Sequence, residues 1–436
     1  MAFPRGETLV ALRFWLVAYL VCESLSGVLG VRLFRRLSAP TRRQPSATTH
    51  DLAPAPVRAR SAAVDSGVRC AGGGRAYSLE GARLRAAGPA PWEQVLAQHD
   101  YDHPAGCAAD ANGRVYVAAR DHYEQHGGTE LRAYEPDGRL RWSLGLAGEV
   151  QTLALGDAGE LVLSTASREG GHWIEKVVDG ERRWRIESGD EVRAIGPDGT
   201  IYGKRHQGTL VALEPDGMER FATSPTTSDI SSAALDRAGN IYVTDFQGLY
   251  ALDGRGVLRW KRTAPRMGDG TTAAEGAVLE GSLVSGGPER EPAIAADGTV
   301  YFAAQSLFAF SPDGALRWQF TPETLHDRGD HAPAFFDRTP ILARDGTIYA
   351  TTSDGQVYAL TKTGAPLWRF GGAKNELLLG VYLDAQGDLQ VVQERVGIRT
   401  DRQLLVFDGA EHGPLMSNAW PTRFHDFGNT RHRPAE

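Results

Sequence analysis

Between residues 70 and 436 the chain reads as short runs in which apolar and polar positions alternate. Thr347, Ile348, Tyr349, Ala350 and Thr351 form one such run, rich in β-branched and aromatic residues. A period of two over a few residues marks a strand with one buried face. No stretch of this region sustains the 3.6-residue period of an amphipathic helix. The runs are broken by Asp-Gly, Asn-Gly and Gly-Asp pairs, which supply the positive φ of tight hairpins.

The runs recur in a fixed order. A Gly-x-x-Tyr opening stands at 113–116, 199–202, 239–242, 298–301 and 346–349. A second run follows at 131–138, 210–217, 249–256, 307–314 and 357–364, and a third closes on Trp142, Trp260, Trp318 and Trp368. Divergent copies at 159–184 and 387–420 complete the set. The marks Trp92, Trp142, Trp184, Phe221, Trp260, Trp318, Trp368 and Trp420 lie 37 to 58 residues apart, the period of propellers and solenoids. With the strand before each opening, such as 292–296, a unit has four strands, here termed A to D. Four-stranded antiparallel blades set radially make an all-β propeller, which hides most strand edges. The aromatic marks are expected to be structural, each largely buried between one blade and the next.

Seven full units run from 99 to 420. Residues 75–92 read as a further C and D pair, and the tail 421–436 as its inner partner. Eight blades are therefore favoured over seven, the last assembled from both termini with Trp420 beside 75–92. The propeller is expected over 70–436, with Gly72, Gly73 and Gly74 still counted as linker.

The amino-terminal part differs. Residues 1–69 hold ten Arg against four acids, a balance of +6 within a chain of net charge −7, so the remainder carries −13. Phe14–Cys22 is an apolar run bounded by Arg13 and Glu23, too short to span a bilayer. It fits the core of a signal peptide over 1–31, with a retained anchor over 9–31 as the other reading. Residues 32–69, rich in Arg, Pro and Ala, read as a disordered linker. An exported, periplasmic or envelope-associated protein follows, touching membrane only through its amino-terminal segment. The acidic propeller argues against a nucleic-acid partner.

The recurring Asp-Gly-Thr-Ile-Tyr with the later Val-Tyr-Ala-Leu and Trp resembles the pyrroloquinoline-quinone-like repeat propellers, the quinoprotein alcohol dehydrogenase-like superfamily. The Trp420–Thr430 segment is similar to the W-P-x-x-x-H-D-x-x-N-T element of bacterial members. That resemblance covers about 75–436 and implies the propeller fold. Its members include the lipoprotein scaffold of outer-membrane barrel assembly and true quinoprotein dehydrogenases. In the dehydrogenases, the resemblance implies, adjacent cysteines cover the quinone and a carboxylate with Ca²⁺ serves as base. This chain has three Cys, none adjacent, and no catalytic motif. No cofactor is expected; pyrroloquinoline quinone or Ca²⁺ belongs only to an alternative reading as a quinone-dependent oxidoreductase or other enzyme at the propeller mouth. A small-ligand sensor is the third reading. Cys70 and Cys107 can form an ordinary disulfide after export.

In an up-and-down blade the B–C and D–A loops share one face, and the A–B and C–D turns the other. The long-loop face, including insertions 262–290 and 321–338, gathers His99, Asp100, Asp102, His103, Arg120, Asp121, His122, Arg168, His172, Lys204, Arg205, His206, Asp245, Gln247, Gln305, His326, Asp330 and His331. These polar groups suit a protein or polysaccharide partner, but no metal-ligand spacing is present, and solvated loop polarity explains them equally well. The leading expectation is a monomeric, non-catalytic scaffold that binds through this face.

Overall fold

The computed structural model describes residues 52–62, 70–80, 82–88, 90–96, 106–120, 129–167, 169–205, 208–245, 248–263, 291–323, 334–373, 376–396, 401–416 and 422. Among them there is no helix. The strands form eight antiparallel blades. Blade 1 comprises Cys70–Gly72, Arg75–Glu80, Arg83–Ala87 and Trp92–Val95. Blades 2 to 7 begin at Gly106, Glu149, Glu191, Ser232, Ala293 and Ile341, each with strands A to D in chain order.

Blade 8 takes strands A to C from Glu376–Leu383, Leu389–Arg395 and Asp401–Phe407, and strand D from Val57–Ala62. The ring is thus eight-bladed and closed by the two termini, as the repeat arithmetic predicts, but with different segments. Residues 70–95 make a complete blade, not a C and D pair. The linker expected over 32–69 is strand over 57–62, and Ala53–Pro54 adds in parallel to Pro366–Gly371 of blade 7. Gly72–Gly74 belong to the A–B hairpin of blade 1, not to a linker. After Phe407 the chain turns back along strand A of blade 7, where Ala343 bridges Leu415 and the Met416 N–H donates to the Leu342 carbonyl at 3.0 Å. The calls on residues 1–51, Trp420 and the tail beyond Thr422 lie outside the described residues.

Alternation sorts each strand between two neighbours. In blade 2, Tyr116, Ala118, Leu131 and Ala133 face blade 3, while Val115, Val117, Ala119 and Tyr134 face blade 1. The outer-strand aromatic then docks across the boundary. Trp92, Trp184, Trp260 and Trp318 donate their indole N–H to the carbonyls of Pro136, Pro215, Pro312 and Lys362, in the C–D turn of the next blade. Where strand B carries a tyrosine, the ring also lies beside it: the Tyr116–Trp142, Tyr242–Trp260, Tyr301–Trp318 and Tyr349–Trp368 centroids are 5.8–6.0 Å apart. Such pairs add about 0.5–1.5 kcal/mol beyond area burial. The rings sit at the expected equivalent places. Only Trp368 is buried, however; Trp92, Trp142, Trp184, Trp260 and Trp318 are half-buried, because strand D is the outermost of its blade.

The receiving turn needs glycine. Gly314 has φ +85°, and a Cβ there would lie 2.7 Å from Trp260 Cδ2. Gly239 has φ +78° with open space around it. Gly314→Ala should therefore cost about 1 kcal/mol more than Gly239→Ala, over a left-handed strain of about 1–2 kcal/mol common to both. Urea unfolding reads the difference, and equal losses would show that the ring contact carries no weight.

Candidate functional site

The connectivity places the B–C and D–A loops on one face, as expected. His99, Asp100, Asp102, His103, Asp121, His122, Arg168, His206, Gln247, His326, Asp330 and His331 lie outside the described residues, as do 264–290 and 324–333. Arg120 ends strand B of blade 2. His172 is exposed at the start of strand C of blade 3, and Gln305 is half-buried in the B–C turn of blade 6. Lys204 and Arg205 end strand B of blade 4.

Several of the described charged groups on this face hold one another. Arg205 grips Asp190 with two hydrogen bonds, 2.7 Å from Nε and 2.9 Å from Nη2, and reaches Glu219 at 2.9 Å. The Asp190 side chain is 1% exposed, so this forked pairing compensates its desolvation. The hydrogen bond to Asp190 is the largest cause that holds the Arg205 guanidinium above its ordinary pKa. Glu191 accepts from Arg193 at 2.6 Å and lies 3.5 Å from Lys204. Asp245 closes its own turn, accepting from Thr226, from the Gly248 N–H at 2.8 Å and from the Tyr250 hydroxyl at 3.1 Å.

Loop bases of blades 7 and 8 are fastened in the same way. Gln356 donates to the Glu323 carbonyl at 2.8 Å and Arg369 to the Glu323 carboxylate at 2.8 Å. Glu376 takes Gln393 at 2.9 Å and Arg395 at 2.7 Å. The result is a braced rim from which the long loops spring. Among the described residues no group of three His, Cys, Asp or Glu side chains could hold a metal ion. Cys70 and Cys107 are joined to each other and link strand A of blade 1 to strand A of blade 2. That pairing does not fit the adjacent-cysteine ring of a quinone site.

The opposite face is built from short turns. In blades 2, 5 and 8 an aspartate, Asp110, Asp236 or Asp384, takes two backbone N–H groups of its own A–B turn on Oδ1. Blade 1 departs from this. Its two-residue hairpin lies so close to blade 2 that a Cβ at Gly72 would fall 2.3 Å from the Asp110 carbonyl oxygen and one at Gly73 2.3 Å from the Gly113 nitrogen. Beside this hairpin is a cavity of about 860 Å³. It is lined by the A–B turns of blades 1, 2, 3 and 8 and by Pro414 and Leu415, and reaches Tyr382, Gln390 and Leu404 of blade 8 and Ala76, Ala87 and Gly88 of blade 1. Apolar clusters seal the boundaries from blade 1 through to blade 8. Among the described residues no such cluster spans blades 8 and 1.

The sequence reading missed this seam because it missed strand D of blade 8. The signal was present: Val57-Arg58-Ala59 repeats the Leu258-Arg259-Trp260 pattern without its aromatic. Arg58 lies 2.5 Å from the buried Asp388, which occupies the place of Thr299 in blade 6, where Arg317 makes the matching bond.

The family model described as outer membrane protein assembly factor BamB matches residues 81–276 and 269–409. Among solved structures, BamB from Moraxella catarrhalis is similar at 14% identity and a TM-score of 0.52, covering 83% of this chain and 99% of its own. The C-terminal WD40 domain of Sif2 is similar at 11% identity and a TM-score of 0.56, covering 82% and 99%. At these identities the likeness of structure shows the propeller fold alone. No curated protein matches the sequence.

Proposed function

The chain belongs to the family of the outer membrane protein assembly factor BamB, and from that premise we propose that it is a non-catalytic, protein-binding scaffold of the cell envelope. The loop-bearing face is the binding face. One observation carries this: Asp190 and Arg205, at the D–A and B–C ends of blade 4, are joined by two hydrogen bonds, as suits a rigid frame for loops. A frame that holds long loops still lowers the entropy lost when they bind. Export, through the amino-terminal apolar run, and an envelope protein as partner complete the proposal.

Capture of partners from envelope extracts, quantified for two variants, tests it. Deletion of 266–287 combined with His326→Ala and His331→Ala should weaken capture at least about tenfold, or 1.4 kcal/mol. Asp216→Lys with Arg255→Glu, in the C–D turns opposite, should leave capture unchanged. The reverse pattern would overturn the assignment of the face.

A further inference from the structure

We propose that His412 is a pH-sensitive latch, whose protonated ring ties the returning segment 409–416 to blade 7 and whose neutral ring loosens it. The device sits on the short-turn face and does not depend on the assignment of the binding face. The other blades show what is unusual about it. In blade 6 the arginine before the outer-strand tryptophan, Arg317, donates to Thr299 Oγ1 at 2.5 Å and lies 3.4 Å from Asp297 in the A–B turn. In blade 4 Arg220 donates to Thr200 Oγ1 at 2.8 Å and to Asp198 at 3.2 Å. Blade 7 keeps the aspartate and the threonine, as Asp345 and Thr347, but has Leu367 before Trp368, packed against the apolar cluster shared with blade 8. The cation comes instead from the returning segment: His412 Nδ1 lies 2.8 Å from Asp345 Oδ2 and 3.1 Å from Thr347 Oγ1. An arginine keeps its charge throughout the physiological range, whereas imidazoles give theirs up between about pH 5 and 8.

The surroundings suit the charged ring. Nε2 lies 3.4 Å from Glu411 Oε1 while Nδ1 faces Asp345, so both ring nitrogens look at carboxylates. Only the imidazolium has two N–H groups to offer; the neutral ring has one, and its other nitrogen then turns a lone pair toward an acid. The ring of Tyr349 lies 6.4 Å away, edge-on, and its hydroxyl is pushed above the ordinary tyrosine pKa by burial and then by Asp345, Glu411 and Asp388. Asp388 is itself paired with Arg58, and Arg344 meets the segment through its main chain, donating to the Pro414 carbonyl at 2.8 Å.

Burial acts against the Asp345 charge, but the Thr347 N–H and then His412 hold its carboxyl below the ordinary range. Asp345 therefore stays ionised across the neutral range, and its half of the tie fails only as pH falls through that lowered value. The His412 half is present while the ring is charged and is lost as pH rises through the imidazole range. The latch is tightest in mild acid. Pro414 and Leu415 of the fastened segment line the cavity beside the blade 1 hairpin, so loosening the segment widens that cavity.

Hydrogen exchange of the full chain, read by mass spectrometry at about pH 5.5 and about pH 8 and corrected for the intrinsic rate at each, tests the latch. In the unaltered chain, peptides spanning 409–416 should open about fivefold more often at the higher pH, while Val300–Ala303 of blade 6 should not change. His412→Arg restores the constant cation of blades 4 and 6 and should remove the difference. His412→Gln should open equally at both pH values, at the level of the unaltered chain in the more alkaline buffer, and gives the readout if His412→Arg does not fold. Equal opening of the unaltered chain at both pH values, a matching change in blade 6, or a pH difference that persists in either folded variant would overturn the proposal.

Discussion

A chain beginning at Val68 should lose cooperative unfolding. Its missing strand, Val57–Ala62, pairs with Gln403–Phe407 and is the outer strand of blade 8. Without it the edge of Asp401–Phe407 is bare, an invitation to association. Val57, which packs against the cluster holding Phe407 and Trp368, is gone as well. Asp388, whose side chain is 1% exposed, loses Arg58. Stripping one partner from a buried ion pair costs about 3–5 kcal/mol, and the exposure of Arg58 puts this case at the low end. With the lost ladder, the total is on the order of 5 kcal/mol or more, comparable to the whole stability of many domains. Thermal circular dichroism and size exclusion read the result. A truncated monomer that melts within about 2 °C of the full chain, less than a 1 kcal/mol loss moves a domain of ordinary size, would contradict closure by this strand.

The second large effect should come from the disulfide. Cys70 and Cys107 are both buried and 37 residues apart. Closing a loop of that length removes about 4 kcal/mol of chain entropy from the unfolded state. Among the described residues blade 1 has one sealed boundary, with blade 2, and the bond lies in that boundary. Cys70→Ser with Cys107→Ser should therefore cost about 4 kcal/mol in denaturant unfolding, and limited proteolysis should begin within 70–95. A full loss of stability depends on an oxidising compartment, since a reducing one would never make the bond. Equal stability of the oxidised protein and the double variant would overturn the bridging role.

The fold was legible where the aromatic marks survive. Gly298–Tyr301 followed by Trp318 announces a blade because strand B and strand D each keep their ring. Blade 8 hides its outer strand because Ala59 stands where the ring should be, in a stretch whose Pro54 and Pro56 resemble linker. Blade 1 hides its inner strand because Cys70–Gly72 is three residues long and ends in glycine. The candidate sites were less legible. The cavity beside the blade 1 hairpin is lined by turns of four blades, which come together only once the ring is closed. On the loop-bearing face, composition identified polar residues but not their engagements. Asp245 reads as a free carboxylate in the sequence and is a turn cap in the structure. Arg205 reads as a free cation and is the clamp of two acids.

The closing strand also sets a clock. Val57 and Phe407 are paired, although about 350 residues separate them along the chain. At roughly 5–20 residues per second of synthesis, blade 8 waits on the order of 20–70 s after its outer strand emerges before its third strand exists. Throughout that interval Val57–Ala62 is an unclaimed edge-forming segment tethered to a growing row of blades. Contacts so distant in sequence are also the slowest to form by chance encounter. The ring can therefore close only when this early strand returns to the last one made.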